Sequence, residues 1–163
     1  MDIGYILRHC IAEDVPAGKP DSERALTNKG KSKLIKTLAR ACETGVAPGI
    51  ILTSPYVRAR QTAVIAKDVL KVDGELIETK ALVPGSSTAK AWEEVRAVGH
   101  DVEQIMLVGH NPLLGDLLCA LIGAPAYGVD LKKGALALVE VEGLSASPRG
   151  TLIWLLTAKT SGE

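Results

Sequence analysis

The chain has 163 residues with 19 basic and 19 acidic side chains, so its formal net charge is zero. That balance argues against nonspecific nucleic-acid binding, which needs a basic excess. At 47% hydrophobic and 23% charged, the chain has the composition of one globular domain able to bury a core without metal or disulfide staples.

Phe is absent, so the core must rest on Leu, Ile, Val and Ala. Cys10, Cys42 and Cys119 are widely spaced and form neither a CxxC pair nor a metal-ligand pattern. Reduced thiols in a cytoplasmic protein are the simplest reading. Met1–Tyr5 has no basic n-region, so no signal peptide is expected. The apolar stretch Ile105–Ile122 is interrupted by His110, Asn111, Pro112 and Asp116, so no membrane span is expected there.

In chain order, Ile3–Leu7 reads as a buried strand, and residues 11–26 as irregular chain. A helix follows with Thr27 as its N-cap. Helical spacing places Leu34, Ile35, Leu38 and Cys42 on its inner face, with Lys29, Lys33, Lys36 and Arg40 outside. Ile50–Leu52 is a second strand. Ser54-Pro55 then reads as an N-cap and first-turn proline of a helix ending near Leu70. Glu75–Glu78 is a third strand, and Ser86, Ser87 and Thr88 cap a helix through Val98. Gln104–Val108 is a fourth strand, followed by a second proline-marked helix start at Asn111-Pro112. Ala135–Val141 and Thr151–Thr157 close the chain as strands. This alternation predicts an α/β fold, a three-layer α/β/α sandwich around a mostly parallel mixed sheet.

Three strands end in chemically capable residues: Arg8-His9, Thr53-Ser54 with Arg58 one turn further on, and Gly109-His110. Ligands of open α/β sheets bind beyond the carboxyl ends of the strands, so these segments are expected to converge. Two arginines offer forked donors to phosphate oxygens, and two helix starts offer N–H groups and partial positive charge. The set Arg8, His9, Arg58 and His110 therefore suits a phosphoryl group. His100 precedes a strand and receives no role. No cysteine has an arginine six positions on, and there is no GxGxxG or HExxH. Gly30-Lys31-Ser32 follows irregular chain, which does not fit a P-loop. The histidines flank arginines rather than carboxylates, so neither metal nor cofactor is expected.

Leu7-Arg8-His9 resembles the signature of the histidine phosphatase superfamily, also called phosphoglycerate mutase-like. Ser54–Thr62 (SPYVRARQT) and Val108–Pro112 (VGHNP) resemble its second and third motifs. Arg24-Ala25-Leu26-Thr27 followed by Gly30 resembles a segment of its short SixA-like branch, the protein phosphohistidine phosphatases. The match runs in order over nearly the whole chain, implying a single histidine phosphatase domain over 1–163. The resemblance implies that His9 attacks phosphorus and carries a transient phosphohistidine. Arg8 and Arg58 would hold phosphoryl oxygens, and His110 would stabilise charge in the transfer state. Ser54 and Asn111, at the same strand ends, are expected among the substrate-binding residues.

Position 10 is Cys where the family usually has a small residue such as Gly; the thiol is expected to be tolerated and redox-sensitive. The carboxylic acid that longer relatives use to protonate an alcohol leaving group has no evident counterpart. Glu13, Asp14, Asp21 and Glu23 are candidates by proximity to His9 alone. An imidazole leaving from phosphohistidine makes less demand on an acid than an alkoxide does. A phosphohistidine-bearing protein is therefore the expected substrate and partner, with no nucleic acid and no membrane. The alternatives are a small phosphomonoester as substrate, a non-catalytic phosphate-binding protein of the same fold, or a histidine phosphocarrier.

Overall fold

The computed structural model describes residues 1–15 and 17–162; Pro16 and Glu163 lie outside the described residues. Six strands are β1 (Ile3–Arg8), β2 (Ile50–Thr53), β3 (Leu76–Glu78), β4 (Gln104–Gly109), β5 (Leu136–Val141) and β6 (Gly150–Leu156). Four α-helices are α1 (Asn28–Glu43), α2 (Val57–Val69), α3 (Thr88–Val98) and α4 (Leu113–Ile122). The sheet order is β3-β2-β4-β1-β5-β6. The first four strands run parallel, and β5 and β6 close one side as antiparallel partners of β1 and of each other.

Alternation along the strands sorts side chains into two cores. Tyr5, Leu7, Ile51, Met106 and Val108 pack against Leu34 and Leu38 of α1 and Ala59, Ala63 and Ala66 of α2. Ile6, Leu52, Ile105 and Leu107 face the other way, onto Trp92 and Val95 of α3 and Leu114, Leu117 and Leu118 of α4. A sheet buried on both faces needs apolar side chains on both sides of each central strand, and β1, β2 and β4 have them. The predicted three-layer α/β/α arrangement is the one observed.

The helix starts follow their capping residues. The Thr27 hydroxyl accepts from the Gly30 amide at 2.9 Å, and the Ser87 hydroxyl from the Lys90 amide at 3.2 Å. Each such cap is worth about 1 kcal/mol. Ser54 behaves differently from the expectation. Its hydroxyl accepts from the Tyr56 amide at 3.2 Å, and α2 begins only at Val57, so Ser54 closes a turn ahead of the helix.

The inner face of α1 also differs. Leu34 and Leu38 are buried as expected, but Ile35 and Cys42 are exposed. Gly30, Thr37 and Ala41 complete the buried stripe instead. Ile35 lies about 100° around the helix from Leu34, outside the strip that a flat sheet and α2 can cover. The small residues at 30, 37 and 41 let α1 lie close to its neighbours. At Gly30 a Cβ would stand 2.4 Å from the Ile11 carbonyl oxygen, so only glycine fits.

The connections determine which strand ends meet. From β1 the chain passes through α1 to β2, leaving one sheet position open between them. It steps outward through α2 to β3, then returns through α3 on the opposite face and inserts β4 into the gap. The carboxyl ends of β2, β4 and β1 thus stand side by side, with Arg8 opposite Gly109 and Thr53 opposite Val108.

Candidate active site

The ladder continues one residue past these strand ends. The His9 amide donates to the Gly109 carbonyl at 3.0 Å, and the Ser54 amide to the Val108 carbonyl at 3.0 Å. His9, Ser54 and His110 are therefore neighbours by sheet register, before any side-chain contact is considered. His9 and His110 have ring centroids 5.1 Å apart. Arg58, the second residue of α2, reaches back so that its Nε lies 3.4 Å from His9 Nε2. His9, His110 and Arg58 are only 8%, 2% and 5% exposed.

Hydrogen bonding fixes the tautomer of His9. Its Nδ1 lies 2.7 Å from the Cys10 carbonyl oxygen, which can only accept. Nδ1 therefore carries the proton, and Nε2 presents its lone pair toward Arg58. Burial pushes the His9 imidazole down to about 4; the Cys10 carbonyl works the other way, and Arg58, Arg8 and Lys133 add to the depression. His110 is pushed down to about 3 by burial, then by His9 and Arg58. Both rings are neutral at neutral pH.

His110 Nε2 lies 2.8 Å from the Ser54 hydroxyl, while its buried Nδ1 has no hydrogen-bond partner. Since Ser54 Oγ already accepts from the Tyr56 amide, its own proton can go to His110 Nε2. That chain leaves Nδ1–H of His110 as a buried donor without a partner, on a ring whose centroid lies 5.1 Å from that of His9. Tyr56 packs edge-on to His110, with ring centroids 5.4 Å apart, and lies under the Arg58 guanidinium at 5.2 Å.

Arg8 donates through Nη1 to the Leu131 carbonyl at 3.0 Å, and its buried Nε has no partner. The structure thus brings the side chains of His9, Arg58 and His110 together, while Arg8 adjoins His9 in the chain and bonds to the loop before β5. Ser54 reaches His110, and its hydroxyl positions that ring. Asn111 has both ends of its amide engaged, Nδ2 on the Leu131 carbonyl at 3.0 Å and Oδ1 accepting from the Gly115 amide at 3.1 Å. It ties the start of α4 to the loop before β5. His100 lies exposed at the opposite end of β4 from His110.

The early loop is pinned rather than free. Arg24 Nε donates to the Glu13 carbonyl at 2.7 Å, and the Leu26 amide to Gln61 Oε1 at 2.8 Å. Ala12 and Leu26 form an antiparallel bridge. These bonds, with the close approach of Gly30 to Ile11, give the Arg24–Gly30 segment its physical meaning: it clamps the chain leaving His9 onto α1. Of the four loop carboxylates considered, Asp21 is the one joined to the site. Its Oδ2 accepts from Arg58 Nη2 at 3.0 Å, and its backbone carbonyl accepts from Nη1 at 2.9 Å. Partial desolvation would raise the Asp21 carboxyl, but bonds from Arg24 and Arg58 outweigh it and leave the group below its ordinary range. It is ionised at neutral pH.

Cys10 is buried, and burial pushes its thiol up. A thiol held protonated is a weak nucleophile, which works against the redox sensitivity expected of it. Among the described residues, no group of three or more His, Cys, Asp or Glu side chains gathers as a metal site would. Among them, too, no helix is long and apolar enough to cross a membrane.

Sequence reasoning missed the loop between α4 and β5. Its Leu131 carbonyl receives both Arg8 and Asn111, and the Gly134 amide donates to the Arg8 and His9 carbonyls, each at 3.1 Å. The only signal was Gly134 itself, which has φ of +73° and packs where a Cβ would meet Cys10 Sγ at 2.9 Å.

This sheet order, with helices on both faces, is that of the histidine phosphatase, or phosphoglycerate mutase-like, fold. The protein histidine phosphatase SixA in complex with tungstate superposes with a TM-score of 0.83 at 24% identity, covering 96% of this chain and 97% of that one. An Agrobacterium tumefaciens protein assigned as a SixA phosphohistidine phosphatase gives 0.82 at 24% identity, with the same coverage. A mycobacterial glucosyl-3-phosphoglycerate phosphatase in complex with VO3 gives 0.70 at 16% identity, covering 94% and 98%. No family model matches the chain. An uncharacterized protein of Picosynechococcus sp. is 33% identical over 134 residues, 81% of each chain. The chain belongs to one family with that Picosynechococcus protein, within the fold of the histidine phosphatase superfamily.

Proposed function

We propose that the protein is a phosphatase that removes phosphate from phosphohistidine in a protein substrate through a covalent intermediate on His9. The carrying observation is the neutral, oriented His9 imidazole, whose Nε2 lone pair faces Arg58 and lies beside His110. A buried neutral imidazole is a competent nucleophile as it stands and needs no base. Arg8 and Arg58 supply charged forks to the transferring phosphoryl oxygens, and Nδ1–H of His110 adds a buried neutral donor. Such preorganised donors are the main source of rate in phosphoryl transfer.

In the first step the Nε2 lone pair of His9 forms a bond to phosphorus, and the bond from phosphorus to the substrate imidazole nitrogen breaks. The electron pair returns to that imidazole, which takes up a proton from water. In the second step water attacks phosphorus, the bond to His9 breaks, and inorganic phosphate leaves with His9 restored. The first step exchanges one imidazole for another, so it needs no strong acid. This matches a site whose adjoining carboxylate, Asp21, is ionised and committed to arginines.

Rapid quenching during turnover of a chemically phosphorylated histidine peptide tests the reading. The expected result is an acid-labile phosphoenzyme that is absent from His9→Ala, together with kcat/KM values that fall steeply as the leaving group becomes more basic. Alkyl phosphates should trail phosphohistidine by about 10²–10⁴-fold, the worth of a positioned general acid. A flat leaving-group series would favour a small phosphomonoester instead.

A further inference from the structure

Beside His9, lined by its chain neighbours Arg8 and Cys10, lies a groove of about 820 Å³ whose lysines the proposed chemistry does not use. Its walls carry Arg8, Lys33, Lys132, Lys133 and Lys159 against a single carboxylate, Asp130. The whole chain is neutral, so this concentration of one sign is local. Lys132 is paired with Asp130 at 2.5 Å. Among the described residues, Lys33, Lys133 and Lys159 have no salt-bridge partner.

Four parts of the fold build the groove: the end of β1, the outer side of α1, the loop before β5, and the turn after β6. It is wired to the reacting centre. The Gly134 amide, next to Lys133, bonds the Arg8 and His9 carbonyls. Arg8 itself lines the groove, directly precedes His9 in the chain, and carries a buried Nε without a hydrogen-bond partner. The cations extend from Arg8 outward to Lys33 and Lys159, on separate elements. A single phosphate would not engage them all, whereas an extended segment with several carboxylates would.

We infer that this groove docks an acidic segment of the protein substrate, one bearing Asp and Glu side chains next to its phosphohistidine. The inference rests on the phosphohistidine reading and deepens it by naming the chemistry of the partner. Charge complementarity of this kind speeds encounter and fixes the register in which the partner presents its reacting group.

The test uses matched synthetic peptides, with one central histidine flanked by Glu in one and by Gln in the other, each with and without the phosphoryl group. Binding of the unphosphorylated peptides is measured first. The wild type should bind the Glu peptide more tightly, with an affinity that falls as NaCl is raised, and Lys33→Glu/Lys159→Glu should lose that preference. Turnover is measured second. The double variant should lose at least about tenfold more kcat/KM on the phosphorylated Glu peptide than on an aryl phosphate. Equal binding of the two peptides by the wild type, or an unchanged preference in the variant, overturns the groove assignment. Glu-selective binding without dephosphorylation of either peptide upholds the groove and overturns the phosphohistidine substrate, so the two failures are distinguishable.

Discussion

Asp21 holds Arg58 from outside the site: its carboxylate accepts from Nη2 at 3.0 Å while its backbone carbonyl accepts from Nη1 at 2.9 Å. The same guanidinium directs its Nε at His9. The carboxylate therefore offsets part of the charge that a phosphoryl group would meet, and competes for one prong of the fork.

Replacing Asp21 by Asn should weaken the hold on that prong, because the amide oxygen still accepts but carries no charge. The backbone bond and the Tyr56 ring still hold Arg58 in place, so vanadate or tungstate should bind several-fold more tightly. Turnover of phosphohistidine should change little, because the ionised carboxyl has no proton to give. Inhibitor titration of both proteins checks the first point. A selective loss of alkyl phosphate turnover in Asp21→Asn would instead assign the carboxyl as an acid.

The pH dependence follows from the two buried imidazoles. An ordinary histidine gains its proton near pH 6.5, but His9 sits at about 4 and His110 at about 3. The acid limb of kcat/KM, which reports the free enzyme, should therefore fall near pH 4. A limb centred at 6.5 would mean that His9 is as solvated as a free imidazole.

The same depression links folding to pH. Between pH 6.5 and 4 the unfolded chain binds a proton at position 9 that the folded one does not, so stability is full above 6.5 and is lost as pH falls toward the folded value. For His9 this amounts to roughly 3 kcal/mol. Urea melts across that range should show the loss, and His9→Gln should remove the His9 share of it while leaving that of His110.

In the proposed mechanism Ser54 acts through His110, whose Nε2 lies 2.8 Å from its hydroxyl. Ser54→Ala should lower kcat by about tenfold, the effect expected when a ring loses its orienting bond, with a smaller effect on KM. Ser54→Thr should restore part of the rate. A nitrogen NMR spectrum of His110 gives the independent readout, since loss of the bond to Nε2 should mix the two tautomers. An unchanged tautomer in Ser54→Ala would remove this role.

Gly30→Ala tests the clamp behind the signature. The added methyl would stand 2.4 Å from the Ile11 carbonyl oxygen, on backbone that has no room to yield. A destabilisation of about 1–3 kcal/mol is expected. Thermal melting measures it, and an unaltered Tm would show that α1 is free to shift.

Much of this protein is legible in its sequence because the signals are local. Strand periods, the Thr27 and Ser87 caps, and the apolar strands bounded by turn residues predict the six strands and four α-helices of the described residues, with the predicted boundaries shifted by at most two residues. The four candidate residues can be singled out as well, since the carboxyl end of a parallel strand is where such a fold places its chemistry. The tertiary structure alone decided what those residues bond to. Nothing local says that β4 enters between β1 and β2, and that insertion is what sets His110 against His9 and Ser54. Ile35 and Cys42 fit the helical period as well as Thr37 and Ala41 do, and only the position of the neighbouring elements excluded them. The pairing of Asp21 with Arg58 spans 37 residues, and the groove draws its cations from four elements. Contacts of that range leave no periodic trace in a chain, because they are fixed by packing rather than by the geometry of any one element.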